Sequence, residues 1–207
     1  MGLIAVRPGE VATIVTSLEM LAKPRPQPLP SSPLRLARWH APKLAAYRDL
    51  FRRVGQPWLW FSRLIMDDAS LAAIIEDPAV EIYPAVDRAG IELGLLELDF
   101  RKAGECELSF VALVPELAGQ GHGRWLLAEA LALAWRSGIE RVHLHSCTLD
   151  HPAALAAYRR AGFTAYKRAI ERFPDPRLLG ILPRDCAPQV PLVGTEASSG
   201  GSFDSCT

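Results

Sequence analysis

The stretch "AGQGHGRWLL", Ala118 to Leu127, carries glycines at alternate positions, a pattern that lets backbone come close to a ligand, often a phosphate. Two standard glycine loops do this, and the stretch is neither. The triphosphate loop needs a Lys and a hydroxyl residue after its last glycine, where this chain has Arg124 and Trp125. The dinucleotide fingerprint needs a third glycine two residues beyond a GxG pair and a carboxylate ending the next strand. Here the glycines stand at 119, 121 and 123, and that strand ends His143-Leu144-His145-Ser146. What survives is a diphosphate cradle. Gly121 and Gly123 let the backbone curl, the amides of residues 119 to 124 point inward at a helix start, and the helix dipole and Arg124 add attraction. Taken alone, the loop fits equally a tight strand-to-helix turn with no ligand.

Other reactive side chains point to no metal. His143 and His145 share one strand face but have no third ligand nearby. The four cysteines, Cys106, Cys147, Cys186 and Cys206, form no CxxC pair and read as plain thiols, Cys147 among them although it lies near the strand ends of interest. Lys+Arg and Asp+Glu are both 23, so no basic excess calls for nucleic acid. No apolar run is long enough for a membrane span, and the first residues lack a signal-peptide pattern, which makes the cytoplasm the default address.

These residues need elements to position them. With 207 residues, 49% hydrophobic, the chain can bury one full core. Residues 1–33 read as a strand or arm (residues 10–22) followed by a stiff proline-rich linker, "KPRPQPLPSSP". Residues 34–173 hold the core: strand "LRLARW", helix "APKLAAYRDLFRRVG", a short helix with Ser70 as cap, or Asp67 and Asp68 (which could instead attract an ammonium), strands "VEIYPAV", "IELGLLELDF" and "ECELSFVALV", the glycine loop, helix "RWLLAEALALAWRSG", strand "RVHLHSC", helix "PAALAAYRRAG" and strand "FTAYKRAIERF". In "ECELSFVALV" alternation puts Leu108, Phe110, Ala112 and Val114 on one face, and Glu107, Ser109, Val111 and Leu113 on the other. Residues 174–207 are rich in Pro, Gly and Ser and read as a largely irregular tail, disordered in its last part. The layout is mixed α/β.

The glycine loop followed by "DHPAALAAYRRAGF", Asp150 to Phe163, resembles the two signature regions of the GNAT superfamily of acetyl-CoA-dependent N-acetyltransferases. Ala118 stands where the family usually has Gln or Arg, a position that acts largely through backbone. Asp150 replaces the commoner Asn, and a carboxylate accepts but cannot donate. The resemblance runs roughly from Leu34 to Phe173 and implies an α+β fold with a mixed, largely antiparallel central sheet, splayed in the middle and flanked by helices.

The resemblance also implies site residues. Glu107 is the first candidate base, with Glu97 the runner-up beside the acceptor, and Tyr158 is the acid that meets the departing sulfur. The backbone of Val111 and Leu113 would pair with the pantetheine arm, Asp150 and Tyr158 would lie along it, and Ala118, Gly119, Gly121, His122, Gly123 and Arg124 would hold the pyrophosphate. Trp58, Trp60 and Phe61 would wall the acceptor pocket. Read on their own, Glu107 is also a solvated strand-end glutamate, Tyr158 a core tyrosine packed on Leu155, and the aromatic trio the edge of a core. The implied activity is direct acetyl transfer from acetyl-CoA, without metal, to a small-molecule or protein amine; a homodimer is compatible. The alternatives are an acetyl-CoA sensor without turnover and a transferase of longer acyl groups.

Overall fold

The computed structural model describes residues 2–25 and 28–194. Among the described residues seven strands form one sheet in the order β2-β3-β4-β5-β6-β1-β7. They are β1 Glu10–Met20, β2 Arg35–Leu36, β3 Val80–Val86, β4 Glu92–Asp99, β5 Glu105–Leu113, β6 Arg141–Cys147 and β7 Thr164–Pro174. Every neighbouring pair is antiparallel except β5 with β6. The helices are α1 Leu44–Gly55, α2 Ser62–Ile65, α3 Asp68–Ile75, α4 His122–Ala134 and α5 Ala154–Ala161. This is the mixed, largely antiparallel α+β architecture that the sequence implied.

The helices divide between the two faces because each carries an apolar stripe. On one face Trp125, Leu126, Leu127 and Ala130 of α4 pack on Leu18, Leu98, Leu108 and Leu144, and α5 joins them through Ala157 and Tyr158. On the other, Tyr47, Leu50, Phe51 and Val54 of α1, with Leu71 and Ile75 of α3, cover Val80, Ile82 and Leu95. The strand expected over residues 10–22 lies inside the sheet, between β6 and β7. Residues 175–194 contain no helix or strand, yet they pack. Arg177 binds Asp175 at 2.7 Å, and its guanidinium also donates to the carbonyls of Cys186, Ala187 and Val190. The last part of the tail, residues 195–207 with Cys206, lies outside the described residues.

Of the two caps open for α3 the aspartate is used, and the strict alternation of β5 is corrected. The cap of α3 is Asp67, whose carboxylate accepts from the amide and the hydroxyl of Ser70 at 2.8 Å each. Ser70 sits in the first turn as the donor. In β5 the alternation changes phase at a bulge opposite Glu97/Leu98, where Glu97 pairs with Phe110 and Leu98 with Leu108. Leu108 therefore shares the α4 face with Val111 and Leu113, and Phe110, Ala112 and Val114 face α1.

Candidate active site

The parallel pairing of β5 and β6 lasts only from Glu105↔Arg141 to Glu107↔His143. Beyond Glu107 the two strands part, and the β6-facing edge of β5 from Leu108 to Leu113, with Val111 and Leu113 on it, has no strand partner among the described residues. A wedge opens there, with Glu107 at its apex and the glycine loop following the end of β5. Unpaired strand amides and carbonyls are hydrogen-bonding groups without a partner, available to an extended ligand.

The curl of the loop is made by Gly119 (φ +75°) and Gly121 (φ +84°), backbone that other residues adopt only with strain. Gly123 already lies in the first turn of α4. The amide of Ala118 donates to the carbonyl of Pro115 and that of Arg124 to the carbonyl of Gly121. Between them, the amides of residues 119–123 have no acceptor among the described residues. A side chain built on Gly119, Gly121 or Gly123 would meet open space, so the concave side of the turn is clear. Free amides at the positive end of a helix form an anion cradle. Arg124 is exposed and makes no ion pair among the described residues. His122 accepts or donates through Nδ1 at 3.1 Å to Ser32, which ties the segment after the proline-rich linker to the cradle.

At the mouth of the wedge, Asp150 has both oxygens engaged. Oδ2 accepts from the Ser146 hydroxyl and the Cys147 amide at 2.8 Å each, and Oδ1 accepts from the Trp60 indole at 3.0 Å. Asp150 thus fastens the β6–α5 turn to the loop after α1. Tyr158, on α5, packs edge-on to Phe163 at 6.1 Å, and its hydroxyl makes no hydrogen bond among the described residues. Burial, reinforced by the Asp150 charge, pushes this phenol well above its ordinary range, so it stays a neutral donor.

The expected acceptor wall is differently employed. Trp60 sits among Phe51 and Phe110, 5.3 Å from the Phe110 ring. A Cβ on Gly55 would lie 2.6 Å from that of Trp60, so only glycine admits this arrangement. Trp58 meets the His151 ring at 5.3 Å, and Phe61 meets Phe173 at 5.1 Å. Glu97 is fully enclosed, accepting from Tyr47 at 2.5 Å and Arg63 at 2.7 Å, so its carboxylate is committed within the protein. That buried network was missed in the sequence, although Arg63 in the apolar run "WFSRLIM" and Glu97 in "LLELD" were its visible signs.

Glu107 lines a groove of about 490 Å³ below the wedge. The other carboxylates there are Asp99 and Glu105, and the cations are Arg101, Lys102 and Arg141. Asp99 is held by Arg101 at 2.5 Å, and Glu105 by Lys102 at 2.8 Å and Arg141 at 2.9 Å. Glu107 pairs instead with His145, Nδ1 to Oε1 at 3.6 Å. His145 holds the Glu107 carboxyl below its usual range, and Glu107 holds the imidazole above its own. Burial lowers His143. Cys147 is half-buried, and burial raises its thiol. Among the described residues no group of three or more His, Cys, Asp and Glu side chains could hold a metal ion, and no helix is long and apolar enough to cross a membrane.

Residues 38–163 match the family model described as the acetyltransferase (GNAT) family. Among solved structures, the chain is similar to a GCN5-related N-acetyltransferase from Sphaerobacter thermophilus (21% identity, TM-score 0.57), over 81% of this chain and 52% of that one. It thus spans about half the length of that relative. It is similar also to an aminoglycoside acetyltransferase from an uncultured soil metagenomic sample (18% identity, TM-score 0.53), over 67% of this chain and 93% of that one. A third is a tandem GNAT protein from the clavulanic acid biosynthesis pathway (18%, TM-score 0.53), over 81% and 55%. At these identities the likeness is one of fold. Curated proteins gave no match.

Proposed function

The chain belongs to the acetyltransferase (GNAT) family, and from that premise we propose that it moves an acetyl group from acetyl-CoA to a primary amine by direct attack, with Glu107 as base and Tyr158 as acid. The observation that carries this reading is the run of unpartnered amides at residues 119–123, set at the head of a wedge that narrows to Glu107. The cradle suits the pyrophosphate of acetyl-CoA, with Arg124 and His122 at its rim. The free edge of β5 at Val111 and Leu113 suits the amides of its pantetheine arm. When bound, acetyl-CoA supplies the thioester carbonyl that an amine attacks.

This chain's residues then have four tasks. Glu107 takes the proton that the attacking nitrogen sheds. A backbone amide of the unpaired β5 edge, near Leu113, donates to the carbonyl oxygen as it gains charge. Tyr158 donates to the sulfur as the C–S bond breaks. Asp150, through Trp60, keeps the mouth of the wedge closed around the reacting atoms. The amine reaches Glu107 through the groove, whose three carboxylates are matched by three cations. A polycation gains no net attraction there, so the acceptor that fits is an amine of low net charge, free or on a protein. Three free thiols among the described residues fit a reducing cytoplasm.

Thiol release from acetyl-CoA across an amine panel tests the reading; acetyl-CoA binding without release for any amine would point to a sensor. For Tyr158→Phe, loss of one hydrogen bond to a developing charge should lower kcat by about 10–100-fold with acetyl-CoA affinity unchanged. Full turnover in that variant would remove Tyr158 from the mechanism. Gly121→Ala tests the cradle. Its methyl group meets nothing, so the cost is backbone strain of about 1–2 kcal/mol, read by thermal unfolding. Relief of that strain turns the amides away, and titration calorimetry should show acetyl-CoA affinity falling by about tenfold. Unaltered affinity would exclude the loop as the pyrophosphate site.

A further inference from the structure

We propose that His145 is a positioning and proton-relay residue for Glu107, carrying the proton of each turnover from the carboxylate to solvent. The proposal rests on the reading of Glu107 as the base.

The geometry comes from the sheet. Glu107 occupies the last paired rung of β5 with β6, opposite His143. His145 lies two residues further along β6, on the same face, and its ring reaches back to the Glu107 carboxylate. Its side chain is 59% exposed, so the ring touches both Glu107 and water. The other carboxylates of the groove are tied to Arg and Lys side chains: Asp99 to Arg101, Glu105 to Lys102 and Arg141. Glu107 has no Arg or Lys partner among the described residues; beside it stands His145, which can gain or lose a proton near neutral pH.

The charged groups around the pair favour this division. From β4, Asp99 faces Glu107 with its charge already matched. From β5 itself, Glu105 is bound to Lys102, Arg141 and, at 3.4 Å, His143. From β6, His143 is lowered by burial and stays neutral. From β1, Ser17 stands opposite His145, and Glu19, opposite His143, is held by Arg141 at 2.8 Å. Asp150 in the β6–α5 turn and Glu171 on β7 add negative potential that favours the imidazolium. Lys167 on β7 stands opposite Ser17 of β1.

The balance closes. An ammonium acceptor and acetyl-CoA give an amide, free CoA thiol and one proton. The N–C bond forms as the C–S bond breaks; sulfur takes the Tyr158 proton, and one of the two protons that nitrogen sheds restores the phenol. The other passes from nitrogen to the Glu107 carboxylate, from there to Nδ1 of neutral His145, and from the imidazolium to water. The carboxylate is then free for the next acceptor.

Two measurements test this on the full chain. NMR titration of the histidine ring protons should show the His145 midpoint falling in Glu107→Gln; an unmoved midpoint overturns the proposal. The second is the pH dependence of kcat/KM, expressed per free amine, for the best acceptor of the thiol-release panel. The wild type should show an acidic limb at the His145 midpoint. His145→Gln should lose that limb and drop on the order of tenfold in kcat at neutral pH, a part of what direct acid–base catalysis contributes. Acetyl-CoA affinity should not change, and added imidazole should restore rate in His145→Ala. A wild-type profile in His145→Gln beside a crippled Glu107→Gln overturns the relay alone. An unimpaired Glu107→Gln overturns the base assignment and the relay with it.

Discussion

Arg63→Ala is expected to lower the free energy of unfolding by about 3–5 kcal/mol. Glu97 is fully enclosed between β3 and β5, and its two oxygens have one protein donor each, Tyr47 and Arg63. Removing Arg63 leaves a carboxylate with a single neutral donor in an interior lined by Phe51, Phe110 and Leu95, where a charge without a countercharge is costly. Arg63 also lies over the Phe110 ring at 5.2 Å, so packing is lost with the charge. Urea denaturation at unchanged m-value would read the shift in midpoint. The combined variant Tyr47→Phe, Arg63→Met, Glu97→Leu separates the two causes. With no buried charge or orphaned hydroxyl, it should recover most of the loss, because an apolar replacement of a whole buried pair is often neutral. If the triple variant is as unstable as Arg63→Ala, packing of α2 rather than the orphaned charge sets the cost.

The same network explains why part of the site could be read in the sequence and part could not. The glycine loop and the Asp150 to Phe163 segment are local: strand, turn and helix follow in order, and their residues carry the geometry. Gly119 and Gly121 do take the left-handed backbone that only glycine adopts freely, while Gly123, given the same task in the sequence, is ordinary helix. The bulge in β5 was hidden because "ELSFVAL" has no glycine or proline to mark it; the extra residue is fixed by register with β4. Strict alternation therefore assigned Phe110 to the face of Leu108. The pairings Trp60–Asp150, 90 residues apart, and Arg63–Glu97, 34 apart, exist only once the sheet has formed. Glu107 and His145 meet because a parallel pairing runs for three rungs and then stops, a fact of strand divergence that no spacing encodes.

Glu107→Gln should lower kcat/KM at neutral pH by about 10²–10⁴-fold, the usual contribution of a positioned base. Glutamine keeps the shape beside His145, but it cannot take a proton. Acetyl-CoA affinity should be unaffected, since the cradle at residues 119–123 lies at the far end of the wedge. Rate should return as pH rises toward the acceptor's own ionisation, where the free amine no longer needs a base. The sign on the acid side follows from the pairing. His145 depresses the Glu107 carboxyl, so the carboxylate persists well below neutrality, and the stability it contributes is present above its unfolded range and lost as pH falls through the lowered value. His145 is raised, so its share is present at low pH and lost as pH rises through the raised midpoint. Acid loss of activity should therefore begin with the imidazole, before Glu107 titrates and before the fold is affected. Both side chains are partly exposed, so the variant should melt close to wild type and the loss can be assigned to chemistry. A Glu107→Gln enzyme with the wild-type pH profile would transfer the base to water, because Glu97, locked between Tyr47 and Arg63, is not free to replace it.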